Sequence, residues 1–275
     1  MIERRHARRT MLAFCAGVIG LPVAATAPAD AAGCAFEAQG EGHVAAVIDA
    51  RTFRLQDGRE IRLAGIEPVI PDKSAANRAP ALAALLTGRD VVLRAQDDTP
   101  DRYGREPAFV FLVSSQTPSA ENPATETLVQ SELLAQGAAL ASASVTDREC
   151  SAALVAAEAA AREAKRGVWA DLTAIKNTES PGDILAGTGR FMVVEGKVLS
   201  VRQAGTTTYL NFGRNWTRDF AVTISRRVLP SLEAAGIVLK SLENRRIRVR
   251  GWIEARGGPR IEVLRAGQIE LVGGN

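Results

Sequence analysis

Histidine is nearly absent from this 275-residue chain: there are two, His6 and His43. His6 lies in a segment that reads as an export leader, and a mature chain with one histidine cannot build a two-His zinc site. A Ser-His-Asp arrangement would have to use His43. That residue sits beside the strand pattern GEGHVAAVI and reads as a surface or strand-edge position. Cysteine is scarce too, with three residues. Removing the leader takes Cys15 and leaves Cys34 and Cys150, which in an exported protein most economically form one disulfide. The alternative, a reactive thiol, lacks a nearby base. Hydrophobic residues make up 46% and charged residues 24%, as in an ordinary soluble globular chain, which excludes disorder, collagen and coiled coil.

Acidic residues are unevenly spread. Residues 1–31 hold four Arg against two acids, residues 32–188 hold 15 Lys/Arg against 22 Asp/Glu, and residues 189–275 hold 15 against seven. Only the last stretch carries an electrostatic argument for a polyanionic partner. The N-terminus has a basic region (MIERRHARRT), an apolar run and a small-residue site at Ala29-Asp30-Ala31. It predicts export and cleavage near Ala31, hence a periplasmic or secreted protein with no stable membrane anchor after cleavage. Arg8-Arg9-Thr10-Met11-Leu12 also fits a twin-arginine pattern loosely. The other reading is an uncleaved anchor, since the apolar run approaches the length a bilayer needs.

The remaining chain divides into residues 32–175, a linker at 176–188 and residues 189–275. In the first part, 43–50, 52–55 and 60–66 read as strands, with Asp57-Gly58 as a hairpin signal. A helix is predicted over 74–86, strands over 90–94 and 107–113, then helices over 128–135 and 150–169. The last has Leu154, Ala157, Glu158, Ala161, Ala164 and Lys165 at three-and-four spacing. NTESPGDILAGTG at 177–189 has linker composition. Strands are then predicted over 191–201, 206–212 and 219–225, a short helix over 231–235, and strands over 246–253 and 260–263, with 268–272 as an extension. Three strands, a helix and two strands is the order of a five-stranded OB barrel. The predicted fold is therefore mainly β with helices (α+β): two tandem barrels, the first carrying extra C-terminal helices.

Several motifs of the first part occur together and in order: VIDARTFRL at 47–55, DGREIRLAGIE at 57–67, DRYGR at 101–105, LVQSELLAQGAA at 128–139 and AEAAAREAKRGVW at 157–169. On these the segment over about 40–170 resembles the thermonuclease (micrococcal-nuclease-like) family. The resemblance implies calcium-dependent phosphodiester hydrolysis: carboxylates bind the ion, a glutamate activates water, and two arginines hold the phosphate. It maps Arg62 and Arg105 to the phosphate arginines, Arg102 and Tyr103 to nucleotide-phosphate contacts, and Glu67 to a metal carboxylate. It departs from the family at two places. Arg51 stands where a metal-ligand aspartate belongs, and Ile70 stands where the general base belongs. A cation a few ångströms from calcium is repelled by several kcal/mol at an effective dielectric near ~20, and losing a general base costs about 10²–10⁴ in rate. Arg51 has an alternative in pairing with Glu67, and Asp72 in reaching in for the lost base.

The expected outcome is a barrel that persists and a hydrolytic site that does not, so no cofactor is expected unless the family's calcium is retained. Arg62 and Arg105 would then contact phosphate without cleavage, or serve only as ion-pair partners in the barrel. In the last part Arg246, Arg248 and Arg250 alternate with Ile247, Val249 and Gly251, which puts the arginines on one strand face. Tyr209, Phe212, Trp216, Phe220 and Trp252 lie nearby. A basic face with aromatics suits single-stranded nucleic acid or another polyanion, but alternating arginines also mark any solvent-facing strand. The competing readings are an active calcium-dependent nuclease with a rearranged site and a module that binds a cell-envelope partner.

Overall fold

Asp57-Gly58 reverses the chain between two short strands, and the glycine takes the left-handed conformation (φ 93°) that such turns favour. This hairpin is the first closed piece of the computed structural model, which describes residues 33–69, 79–95, 99–113 and 126–273. The first unit runs β1 (Glu37–Asp49), β2 (Thr52–Leu55), β3 (Glu60–Leu63), β4 (Ile66–Pro68), α1 (Pro80–Leu86), β5 (Asp90–Ala95), β6 (Glu106–Val113), β7 (Glu126–Leu128), α2 (Val129–Ala135), β8 (Ala139–Ala141) and α3 (Arg148–Glu163). Its sheet order is β3-β2-β1-β5-β6-β7, and a parallel pairing of β3 with β6 closes the ring. Alternate residues point inward, so Phe53, Ile61, Leu63, Leu93, Phe109 and Phe111 are all buried in one core.

Two devices fix the helices on this barrel. Gln130 of α2 is fully buried; its Oε1 accepts from Val110 N at 3.2 Å and its Nε2 donates to Ala108 O at 2.9 Å. A buried amide with those bonds satisfied locks α2 to β6. Asp147 caps α3, its Oδ1 accepting from Cys150 N at 2.8 Å. Cys150 in turn forms the expected disulfide with Cys34, which joins the start of the unit to its last helix across 116 residues.

The second unit runs β9 (Ile175–Asn177), α4 (Pro181–Leu185), β10 (Phe191–Lys197), β11 (Ser200–Ala204), β12 (Thr207–Asn211), β13 (Ala221–Ser225), α5 (Leu229–Ala234), β14 (Arg246–Arg256), β15 (Gly258–Val263) and β16 (Ile269–Leu271). The sheet path is β11-β12-β13-β15-β14-β10-β9, with β16 also on β14. Only residues 198 and 199 separate β10 from β11, so the path returns on itself, and β13 runs parallel to β15 as β3 does to β6. The mainly β architecture expected from the strand order is present in both units.

Three local readings change. The segment 176–188 is not a free linker: β9 adds as a parallel strand to β10, and Ile184 of α4 is fully buried against the second core. The long helix expected over 150–169 is α3, starting at Arg148 and ending at Glu163; a left-handed Lys165 (φ 52°) breaks it, and a 3-10 turn follows at Gly167–Ala170. The helix expected over 74–86 is described from Pro80; its earlier residues, like the export leader, lie outside the described residues. Among the described residues no helix is long and apolar enough to cross a membrane.

Leu140 and Trp169 of the first unit pack with Val193 of the second in a small shared cluster. Beside it lies a buried ion pair, Glu158 on α3 with Arg250 on β14, at 0% and 2% exposure. The two sheets therefore meet through both apolar and charged contacts.

Candidate functional site

β1 and β2 meet in a tight turn at Asp49-Ala50-Arg51-Thr52, where Asp49 Oδ1 accepts from Arg51 N at 2.9 Å. The carbonyl of Arg51 accepts from Leu63 N at 2.8 Å, which sets this turn beside the end of β3. The chain then passes Gly65, whose φ of +77° and surroundings leave no room for a side chain: an added Cβ would lie 2.8 Å from Leu154 Cδ1. That close approach carries β4 onto β8, with Glu67 opposite Leu140. The result is a direct ion pair between the Arg51 guanidinium and the Glu67 carboxylate, both partly buried.

DRYGR forms the facing turn. Asp101 Oδ1 accepts from Tyr103 N at 2.9 Å and Arg105 N at 3.1 Å, while Oδ2 accepts from Arg105 Nε at 2.9 Å and Nη2 at 2.7 Å. Arg62, on β3, reaches the same Oδ2 at 3.4 Å. One carboxylate thus collects both predicted phosphate arginines. The hydrogen bond from Arg105 holds the Asp101 carboxyl well below the ordinary carboxylate range and raises the Arg105 guanidinium. Arg62 is pushed the other way, first by burial and then by the positive charge of Arg51, with Arg105 adding to it. Three guanidiniums therefore crowd one end of the barrel against Glu67 and Asp101. Arg102 and Tyr103 lie at the exposed tip, with the Arg102 and Arg105 guanidinium carbons 4.7 and 5.1 Å from the centre of the Tyr103 ring.

Calcium takes six to eight oxygens in a flexible shell. Here Glu67 is committed to a guanidinium, Asp49 to a backbone amide, and Asp101 to two arginines. Among the described residues no group of three or more His, Cys, Asp or Glu could hold a metal ion. The donors among the described residues do not fit the ion. Ile70 and Asp72 lie outside the described residues. His43 is on the surface, its Nδ1 2.9 Å from Asp90 Oδ1, away from this end of the chemistry.

The strand arginines require a correction. Arg246, Arg248 and Arg250 do share one face of β14, opposite the fully buried Ile247 and Val249, but the face is not open. Arg250 is 2% exposed and bonds Glu158 through both Nη atoms, at 2.9 Å each, and Ala141 O at 3.1 Å. Arg248 bridges Glu195 (2.7 Å) and Glu270 (2.6 Å), and Arg246 bonds Glu195 at 2.7 Å. Arg162 of α3 joins the same network through Glu270 at 3.1 Å. Burial pushes the Glu195 carboxyl up, and the bonds from Arg246 and Arg248 outweigh it, so the net shift is downward. This strand face is an interface between the two units, with Arg246 alone half-exposed at its edge. Glu158 was the missed partner, and its signal was visible: a carboxylate placed in the apolar stripe of α3.

A groove of about 870 Å³ runs between the units from the Arg51–Glu67 pair to Phe191 and Trp252, whose rings meet edge to face at 6.1 Å. Residues 70–171 match the family model described as Staphylococcal nuclease homologue, which supports a thermonuclease-like domain in the first unit. The matched segment holds the DRYGR turn, Gln130 and Glu158, while Arg51, Arg62 and Glu67 lie before it. A search of the curated proteins finds no match.

Proposed function

We propose that this chain is an exported protein whose nuclease-type barrel binds nucleic acid or a related polyanion without cleaving it. The observation that carries the reading is the ion pair of Arg51 with Glu67, which places a fixed cation where the family resemblance puts a metal carboxylate. Hydrolysis needs water deprotonated and the developing phosphoryl charge met by cations. The described residues offer the cations, while the carboxylates beside them are engaged: Glu67 with Arg51, Asp101 with Arg62 and Arg105, and Asp49 with the Arg51 backbone amide. Among the described residues, Arg62 donates from Nη1 to Asp101, and Arg105 donates to it from Nε and Nη2. Arg62 is depressed first by burial and then by the charges of Arg51 and Arg105, and an entering phosphate offsets that repulsion, a favourable exchange for anion binding.

The test uses mature protein and single-stranded DNA, with calcium and with chelator. Binding is expected in both conditions, weakening steeply with salt, falling in Arg62→Ala and Arg105→Ala, with the DNA recovered intact. Chelator-sensitive cleavage that disappears in those two variants would overturn the reading in favour of a working calcium-dependent phosphodiesterase.

A further inference from the structure

The largest exposed ring of the described residues has no part in the barrel end described above. Trp216 is 76% exposed, at the tip of the loop between β12 and β13. The loop is rigidly built. At its base Phe212 and Phe220 are buried, their rings 5.2 Å apart. Above them Asn215 Oδ1 accepts from Thr217 N at 3.1 Å and Thr217 Oγ1 at 2.7 Å, and Asp219 Oδ2 accepts from Asn215 N at 2.8 Å. Asp219 N and Arg218 N close the turn on Asn215 O at 2.8 and 3.0 Å. A loop held by its own side chains and a buried aromatic pair presents Trp216 in one place rather than letting it fold back.

Cations lie in the same loop and in the turn packed against it. Arg214 and Arg218 flank it in sequence and are both exposed. The turn from β14 to β15 packs against the same loop: a Cβ on Gly258 would lie 2.6 Å from Asp219 O, and one on Gly257 3.7 Å from Thr217 Cα. That approach brings in exposed Arg256, whose carbonyl is fixed by Arg260 Nη2 at 2.6 Å. The nearby acids are already engaged, Asp219 within the loop and Glu254 at 3.6 Å from Arg256 Nε. The remaining charge of the patch is positive.

We infer that the Trp216 loop, with Arg214, Arg218 and Arg256, is a contact site for single-stranded nucleic acid, the ring stacking on a base and the guanidiniums holding phosphates. This rests on the polyanion reading above and moves its second-unit contact from β14 to this loop. A single aromatic surface among arginines matches the two parts of sequence-tolerant single-strand binding, a stacking platform and a basic track. A membrane surface fits less well, because the loop's other residues (Arg214, Asn215, Thr217, Arg218) are polar and offer no aliphatic area to insert.

The probe is a fluorescein-labelled oligothymidylate of about 12 nucleotides, within the site sizes such barrels cover, titrated at low salt into the full mature protein. Trp216→Ala is expected to weaken binding about tenfold and Trp216→Phe by less than about threefold, since stacking on one base is worth about 1–3 kcal/mol. Blank duplex of the same length should bind more weakly than the single strand. Unchanged affinity in Trp216→Ala, with loss in Arg105→Ala, would overturn this site and leave the first-unit reading standing. No binding by the wild-type protein would overturn both. Loss of binding to phosphatidylglycerol vesicles but not to the oligonucleotide in Trp216→Ala would assign the loop to a membrane and overturn the inference.

Discussion

Replacing Arg250 with methionine tests whether the two units are one cooperative body. Glu158 is fully buried, and its carboxylate takes Arg250 through both oxygens, Ala141 N at 2.7 Å and Arg162 Nη1 at 3.4 Å. Arg250→Met leaves that charge in a dry interface with one long contact to Arg162. Breaking a buried pair from one side costs about 3–5 kcal/mol, and the surviving Arg162 contact puts the expectation near the lower bound, about 3 kcal/mol. Glu158→Gln leaves the Arg250 guanidinium with one carboxylate, Glu270 at 3.5 Å, and the carbonyl of Ala141 at 3.1 Å, and should cost a similar amount or less. In the double variant no charge is stranded, and glutamine still offers an oxygen to Ala141 N, so most of the loss should return. Urea unfolding followed by tryptophan fluorescence reads this directly. The wild type should show one transition. Each single variant should shift the midpoint by about 1 M or more for a slope of about 3 kcal/mol/M, or split the curve into two steps. Single variants within about 0.5 kcal/mol of wild type, or strictly additive effects in the double, would refute the assignment of this pair as the lock.

Acid should weaken the DRYGR turn. Because Asp101 titrates below its unfolded value of 3.8, its pairing with Arg105 contributes stability that is full above about pH 4 and is lost as pH falls toward the folded value. Asp101→Asn should flatten the acid limb of a stability-against-pH curve below pH about 4, and an unchanged limb would refute the assignment. Replacing Cys34 and Cys150 together by alanine opens a link across 116 residues; chain entropy sets the expected loss at about 4–5 kcal/mol at most, measured by denaturant unfolding of oxidised wild type against the variant, and a loss under about 1 kcal/mol would refute the entropic account.

The first unit was readable because its signals are local. Asp57-Gly58 marks a hairpin, the β1–β2 turn is written in consecutive residues, and DRYGR folds on its own aspartate. The face of β14 was not readable beyond its alternation. Period two says that Arg246, Arg248 and Arg250 point the same way, but it does not say what lies opposite. The partner of Arg250 is 92 residues away on α3, and only the carboxylate in that helix's apolar stripe hinted at it. The linker misled for a related reason. Ser, Pro and Gly composition reports local freedom, whereas β9 is held by backbone pairing to β10, which any side chain allows. The aromatics divided as volume requires: Phe212 and Phe220 fill the core, while Trp216 and Trp252 remain exposed.

Under the proposed function Arg51 stands where the family resemblance puts a metal carboxylate, and the consequence reaches past the loss of a ligand. In a metal site the positive charge that meets a phosphate is borrowed from solution and depends on the concentration of the ion. Here it is covalently attached and permanently charged. The pair it makes with Glu67 offsets a carboxylate that would otherwise repel a phosphate, and Asp101 is the one carboxylate that bonds both of the partly buried Arg62 and Arg105. Coulomb attraction between such a group and a phosphate oxygen at 4 Å is about 4 kcal/mol at an effective dielectric near 20, and none of it vanishes when divalent ions are removed. Under the proposed function, salt must therefore weaken binding while chelator leaves it unchanged, and this combination separates a site built from arginines from one that has merely misplaced its calcium.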